Sequence, residues 1–383
     1  MPRTHPNMVL YLYATLRQEN TLAWYRVEAD GSLDFQGSVP LPGHGAGIGA
    51  DPARRTLFVA THDTAQLCSF RLDGASGTPA PLNVLDTGLS DPAYIATDRA
   101  GRFLITPFYA AGCVATYAID PADGAARGEA LCHIDTHQHA HGVAVDASNT
   151  HVFIPHAGGT YPHYPDGVRG GSCVRQFSLD DAGVLTPHPT DPLLRVTGHG
   201  GDPATEVGPR HLLFRPDERF AYSSNEQDNS VTACARSTTL PLFSCAPLTP
   251  HLLLAADSYD ASAGALTPIQ TVSSLPADFT EGGAAARLVI HPSGKWVLCA
   301  NRGHQSLATF AIDEESGRIE YRGTTAVDAT PRAFHFTPDG RHLYSAGEQT
   351  NTIRHFAFDE ETGELSLIKT YGTGRKHKIS DGP

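Results

Sequence analysis

Short apolar runs separated by turn-forming clusters recur along the chain. The last stretch reads RAFHF, PDG, HLYSA, TIRHFAFD, EETGEL, SLIK, and the one before it ARLVI, HPSG, WVLCAN, SLATFAID, EESGRI, EYRG. Phe334 and Phe336 alternate with Ala333 and His335, the period of a strand, while Asp-Gly and Ser-Gly supply hairpin turns. Each stretch therefore predicts four strands, with acidic residues closing the third. Earlier copies open near Gly45, Asp91, His139 and Pro209. Seven copies at a spacing of about fifty residues belong to the propeller range. The pattern predicts an all-β fold, one seven-bladed β-propeller with four-stranded blades, as a single domain over residues 1–383.

Departures from the repeat carry expectations of their own. The N-terminal copy begins directly with LYLYATL and lacks an innermost strand, so a tail strand within Gly372–Ser380 is expected to complete it. The fourth copy carries an insert, HAGGTYPHYPDGVRGGS, on the end where a pocket would open, and it is read as a lid. The fifth carries another around Ser237–Gly264, read as surface decoration or a subunit contact.

In such a repeat the start of the first strand meets the end of the second at one mouth of the central channel. That mouth receives His62, Tyr109, His139, His141, His156, Arg210, Glu226, Arg287, Arg302, Arg332 and Glu348. Several arginines converging on one mouth call for an anionic partner. The bland alternative for Arg210 and Glu226 is an inter-strand ion pair that holds a blade. His137, His139 and His141 alternate, which on a strand would put them on one face, as a metal site requires. No acidic ligand is spaced with them, so no metal is expected. A phosphate-binding P-loop and a GxSxG nucleophile elbow are both absent.

Composition narrows the partners. At 383 residues with 37 Gly, 28 Pro and 18% charged residues, the chain is built from tight turns rather than long helices. A net charge of −13 argues against nucleic acid, yet a local arginine cluster still suits a small anion. No stretch approaches the roughly 18 apolar residues of a membrane span. The start, MPRTHPNMVLYLYATL, has no apolar core followed by a small-residue cleavage site, so a cytoplasmic location is expected. Cys68, Cys113, Cys132, Cys173, Cys234, Cys245 and Cys299 are scattered without CxxC spacing and read as buried free thiols.

The segments HAHGVAVD, GPRHLLFRPDERFAYSSNE, HPSGKWVLCANRGHQSLATFAID and ATPRAFHFTPDGRHLYSAGE resemble the bacterial 6-phosphogluconolactonase-type lactonase family, which also includes the fungal carboxy-cis,cis-muconate cyclase. The resemblance spans nearly the whole chain. It implies a seven-bladed propeller whose site comprises His141, Arg210, Glu226 and Arg302, with His139 as partner of His141. Tyr109, His156, Arg287, Arg332 and Glu348 are then expected to bind substrate. Two departures stand out: the family usually has an acidic residue where this chain has Arg287, and an Asn-Tyr is commoner where it has Pro107-Phe108-Tyr109. The implied function is hydrolysis of a small anionic or sugar lactone, without a cofactor, by a monomer or homodimer. A carboxymuconate-type lactonising cycloisomerase and a non-catalytic interaction platform remain alternatives.

Overall fold

A computed structural model describes residues 9–136, 138–158, 172–189, 193–201, 206–236 and 264–373. Their strands form seven antiparallel sheets, each from a consecutive stretch of chain. The first blade has three strands, Leu10–Leu16, Thr21–Val27 and Leu33–Pro40. The second runs from the inner strand Gly45–Ala50 to Pro79–Asp86, and the third from Ala96–Thr97 to Ala126–Asp135. In the fourth, Ala144–Val145 is innermost and the outer edge is split between Leu185–Pro187 and Leu193–Leu194. The fifth, sixth and seventh begin with Pro209–Phe214, Ala284–Ile290 and Pro331–Phe336. This is the seven-bladed propeller that the repeat predicts. The first blade lacks an inner strand as expected. Its proposed completion by the tail falls almost wholly within residues 374–383, outside the described residues, as do most of the fourth-copy insert and the insert at 237–263.

Apolar packing lies between blades rather than at the centre. Seven clusters occupy the seven seams, the last uniting Ala23, Tyr25 and Leu33 of the first blade with Tyr344, Ile353 and Tyr371 of the seventh. In the second strand of the sixth blade, Trp296–Arg302, Val297 and Cys299 pack toward the fifth blade while Trp296, Leu298 and Ala300 pack toward the seventh. Both faces are covered, so such strands read as continuous apolar runs, WVLCA here, rather than as alternation. Each fully buried large side chain, such as Leu298 or Phe310, contributes about 1.5–3 kcal/mol.

The hairpins that begin the second, third and fourth blades are fixed by side chains. Asp51 Oδ1 accepts the amides of Arg55 and Thr56, Asp98 Oδ1 those of Arg102 and Phe103, and Asp146 Oδ1 those of Thr150 and His151. An aspartate at this turn position satisfies the backbone donors that a tight reversal leaves over.

At the opposite end of the inner strands the register slips. Pairing skips a residue between Pro209 and His211, between Pro331 and Ala333, and across Ala285–Leu288 and Gly45–Ile48. The residues caught in three of these bulges include Arg210, Arg332 and Arg287. A bulge bends its strand and re-aims the extra side chain.

Candidate functional site

The bulges set the rim chemistry. Alternation along a regular strand would send Arg210 and His211 to opposite faces. With the extra residue at Arg210 the two side chains instead meet, Arg210 Nη1 lying 2.8 Å from His211 Nε2. Arg210 Nε faces Glu226 Oε2 at 3.3 Å, and both side chains are only 5% exposed. Arg302, at the end of the second strand of the sixth blade, reaches across the seam and bonds Glu226 Oε1 through Nη2. It is braced by Nε on the Ala284 carbonyl at 3.3 Å, and at 17% exposure it is the most open member of the trio.

His141 comes from the fourth blade. A Cβ on Gly142 would lie 2.8 Å from the Arg210 carbonyl oxygen, so the glycine lets the two backbones touch at this point. The half-buried His141 ring sits 5.1 Å from the His211 ring and makes no hydrogen bond with any described residue. Burial in the channel wall lowers its pKa well below the ordinary 6.5, and the positive charges of Arg210, Arg302 and Arg332 add to this. His211 is depressed likewise, by burial and then by Arg210, Arg287 and Arg302. Both imidazoles are therefore neutral at pH 7, held so first by burial and then by the arginines around them.

Other expected residues fall around this centre in distinct settings. Tyr109 stacks on His139 with centroids 4.6 Å apart and presents its edge to His141 at 5.8 Å. The expectation that the HQHAH histidines share one strand face does not hold. His137 lies outside the described residues, His139 has a φ of +69°, and Ala140 makes only an isolated bridge to His156. A left-handed residue breaks the two-residue period, so His139 turns inward to approach the Gly158 carbonyl, Nδ1 to oxygen 3.2 Å. His156 is fully buried, its Nδ1 2.9 Å from the Ile154 carbonyl oxygen. Among the described residues no group of three His, Cys, Asp or Glu is placed to hold a metal.

Arg332 and Glu348 pair at 2.5 Å, and Glu348 also accepts from Arg17 of the first blade at 2.7 Å, an open ion pair on the closing seam. His62 bonds Asp91 across the seam of the second and third blades. Arg287 stands deeper, lining a channel cavity of about 280 Å³ with Tyr94 and His335. The six described cysteines are free thiols, five buried and Cys132 half-buried, and burial raises Cys68, Cys234 and Cys299 to about 12. Cys245 lies outside the described residues.

Residue reading missed His211, Arg17, Asp91 and His335. His211 had a signal in its place beside the arginine in GPRH, though the alternation rule argued against it, and His335 had one in its alternation with Phe334 and Phe336.

The chain matches the family of lactonases with a 7-bladed beta-propeller over residues 8–83, 48–247 and 248–377. It belongs to that lactonase family. Among the relatives of this member, the 6-phosphogluconolactonase of Pectobacterium atrosepticum is 27% identical over 366 residues, covering 95% of this chain and 96% of the relative. The 6-phosphogluconolactonase of Sodalis glossinidius is 24% identical over 370 residues, covering 95% and 96%. Among solved structures, the periplasmic gluconolactonase of Pseudomonas aeruginosa superposes with a TM-score of 0.75 at 23% identity, covering 96% of each chain. No helix among the described residues is long and apolar enough to cross a membrane.

Proposed function

We propose that this lactonase-family member opens a sugar-derived lactone to its hydroxy acid at the channel rim. The observation that carries the proposal is a buried carboxylate, Glu226, shared by Arg210 and Arg302 on the same rim as His141, whose ring bonds no described residue. Family membership and the lactonase names of relatives aligned over nearly the whole chain support it.

Ring opening needs a water deprotonated, an oxyanion stabilised and a proton delivered to the departing ring oxygen. His141 is assigned as the base. It accepts a proton from the water whose oxygen bonds the carbonyl carbon, then returns it as the ring carbon–oxygen bond breaks. Arg302, the most open guanidinium, donates to the oxyanion or clamps an anionic group of the substrate, and Arg210 supports it. With an oxygen facing each guanidinium, Glu226 is assigned to position them. Every step uses side chains alone, so a chelator should leave the rate unchanged.

A panel of sugar lactones, phosphorylated and not, followed by acid release, tests the activity. His141→Gln and Arg302→Gln should each lower kcat/KM at least tenfold, since losing one oxyanion donor costs about 2.7–4 kcal/mol of barrier. Carboxymuconate belongs in the same panel, and its turnover without opening of any sugar lactone would make the chain a cycloisomerase.

The near-complete burial of Arg210 and Glu226 favours a second reading, in which the trio only joins the fifth blade to the sixth. It predicts that His141→Gln leaves the rate untouched while Glu226→Gln lowers the melting midpoint alone.

A further inference from the structure

Arg287 is unlike the other arginines of the channel. Arg210 and Arg302 share Glu226, and Arg332 shares Glu348 with Arg17. Arg287 makes no hydrogen bond or ion pair with any described residue, and its Nε is buried without a partner. A guanidinium stays charged throughout the working pH range. Partly buried and without an ion-pair partner among the described residues, it lacks the counter-charge that normally offsets desolvation.

The surroundings do not supply one. The cavity it lines, about 280 Å³, has walls from Leu213, Val289, Tyr94 and His335 and no carboxylate among its lining residues. Arg287 and Arg54, both positive, are the charges acting on His335. His335 itself alternates with the buried Phe334 and Phe336, which puts it on the channel face of its strand. The volume falls just below the roughly 300–1,000 Å³ of sites for drug-sized ligands, yet exceeds what one water fills. Size and charge together describe a place for a small oxyanion with a few waters.

We propose that this cavity is an oxyanion subsite, separate from the rim cluster, in which Arg287 binds a phosphate- or carboxylate-type group beside Tyr94 and His335. The anion is either free in solution or the charged end of a molecule whose reacting part lies at the rim.

Inorganic phosphate is the probe, added to the full chain at ionic strength matched with chloride. The wild type should show a phosphate-dependent rise in melting midpoint of roughly 2 °C at tenfold excess over Kd. Arg287→Gln should lose it, and Arg287→Lys should keep part, having the charge without the fork. Equal phosphate responses in wild type and Arg287→Gln would overturn the subsite. Should the Gln variant fail to fold, calorimetric titration of phosphate into wild type and Arg287→Lys decides: saturable binding, weaker in the Lys variant, supports it, and absence of saturable binding overturns it. Phosphate that competes with an anionic lactone but not a neutral one assigns the subsite to the substrate's charged end. Binding without competition against either assigns it to a free anion. These measurements need no turnover, so loss of the lactonase proposal would leave the binding result standing.

Discussion

Glu226 has an oxygen facing each of two guanidiniums, Oε2 at Arg210 and Oε1 at Arg302. Glu226→Gln therefore leaves two enclosed positive charges without their shared anion, a kind of loss that typically costs 3–5 kcal/mol when one partner of a buried pair is removed. A melting curve should show the midpoint fall, and the remaining folded enzyme should turn over at least tenfold more slowly. For His141 the sign runs the other way from an activated acid. Its folded pKa lies below 6.5, so it is already neutral above that value and gains nothing from higher pH. The kcat/KM profile should be flat from about pH 8 down through 6.5 and decline only further into acid. A limb centred at or above 6.5 would contradict a neutral His141. Arg210, Glu226, Arg302 and His141 were legible because the repeat aligns them at one end of the blades. His211 was not, because a one-residue register slip reverses what alternation says of it.

Blade strands do more here than hold side chains at intervals. Gly208 precedes the bulge at Arg210 with a φ of +70°, donates its amide to Ser172 Oγ at 2.7 Å and accepts the Glu226 amide at 2.7 Å. A Cβ there would lie 2.3 Å from the Ala157 carbonyl oxygen. Gly208→Ala combines a left-handed backbone cost of about 1–2 kcal/mol with displacement of a neighbouring chain. It should lower both the melting midpoint and the lactonase rate. Gly74→Ala, where an added Cβ meets nothing within 4 Å, should stay within about 0.5 kcal/mol and serves as the matched control. Strands as elements were readable from turn signals such as PDG and from repeated apolar runs. The short inner strands of the third and fourth blades were not, since DPAYIAT and HAHGVAV carry the same apolar pattern as the longer ones.

Closure of the whole molecule rests on the seam between the first and seventh blades. Tyr344 Oη donates to the Gly31 carbonyl at 2.5 Å, Leu33 donates its amide to Tyr371 Oη at 3.1 Å, and Ile353 is buried between them. Ile353→Ala should destabilise by about 2–5 kcal/mol, measured by denaturant unfolding. Acid should loosen the molecule as well. Burial lowers His355 to about 4 and depresses His141, His211 and His291 too. Between those values and 6.5 the unfolded chain binds more protons than the folded one, so stability is full above about pH 6.5 and falls as pH drops below it. The melting midpoint should decline from pH 7 toward 4, less steeply in His355→Gln.

The repeated order of apolar runs and turns, a local property of the chain, determined by itself most of the strands, the seven blades and the end of each blade that carries polar residues. Tertiary structure alone decided which of those residues touch. Glu226 meets Arg302 across a seam, Glu348 meets Arg17 across the closing one, and Arg287 meets no carboxylate among the described residues. Such pairings depend on bulge register and on the approach of blades distant in sequence, and one residue of slip redirects a side chain without altering the pattern that announces the strand.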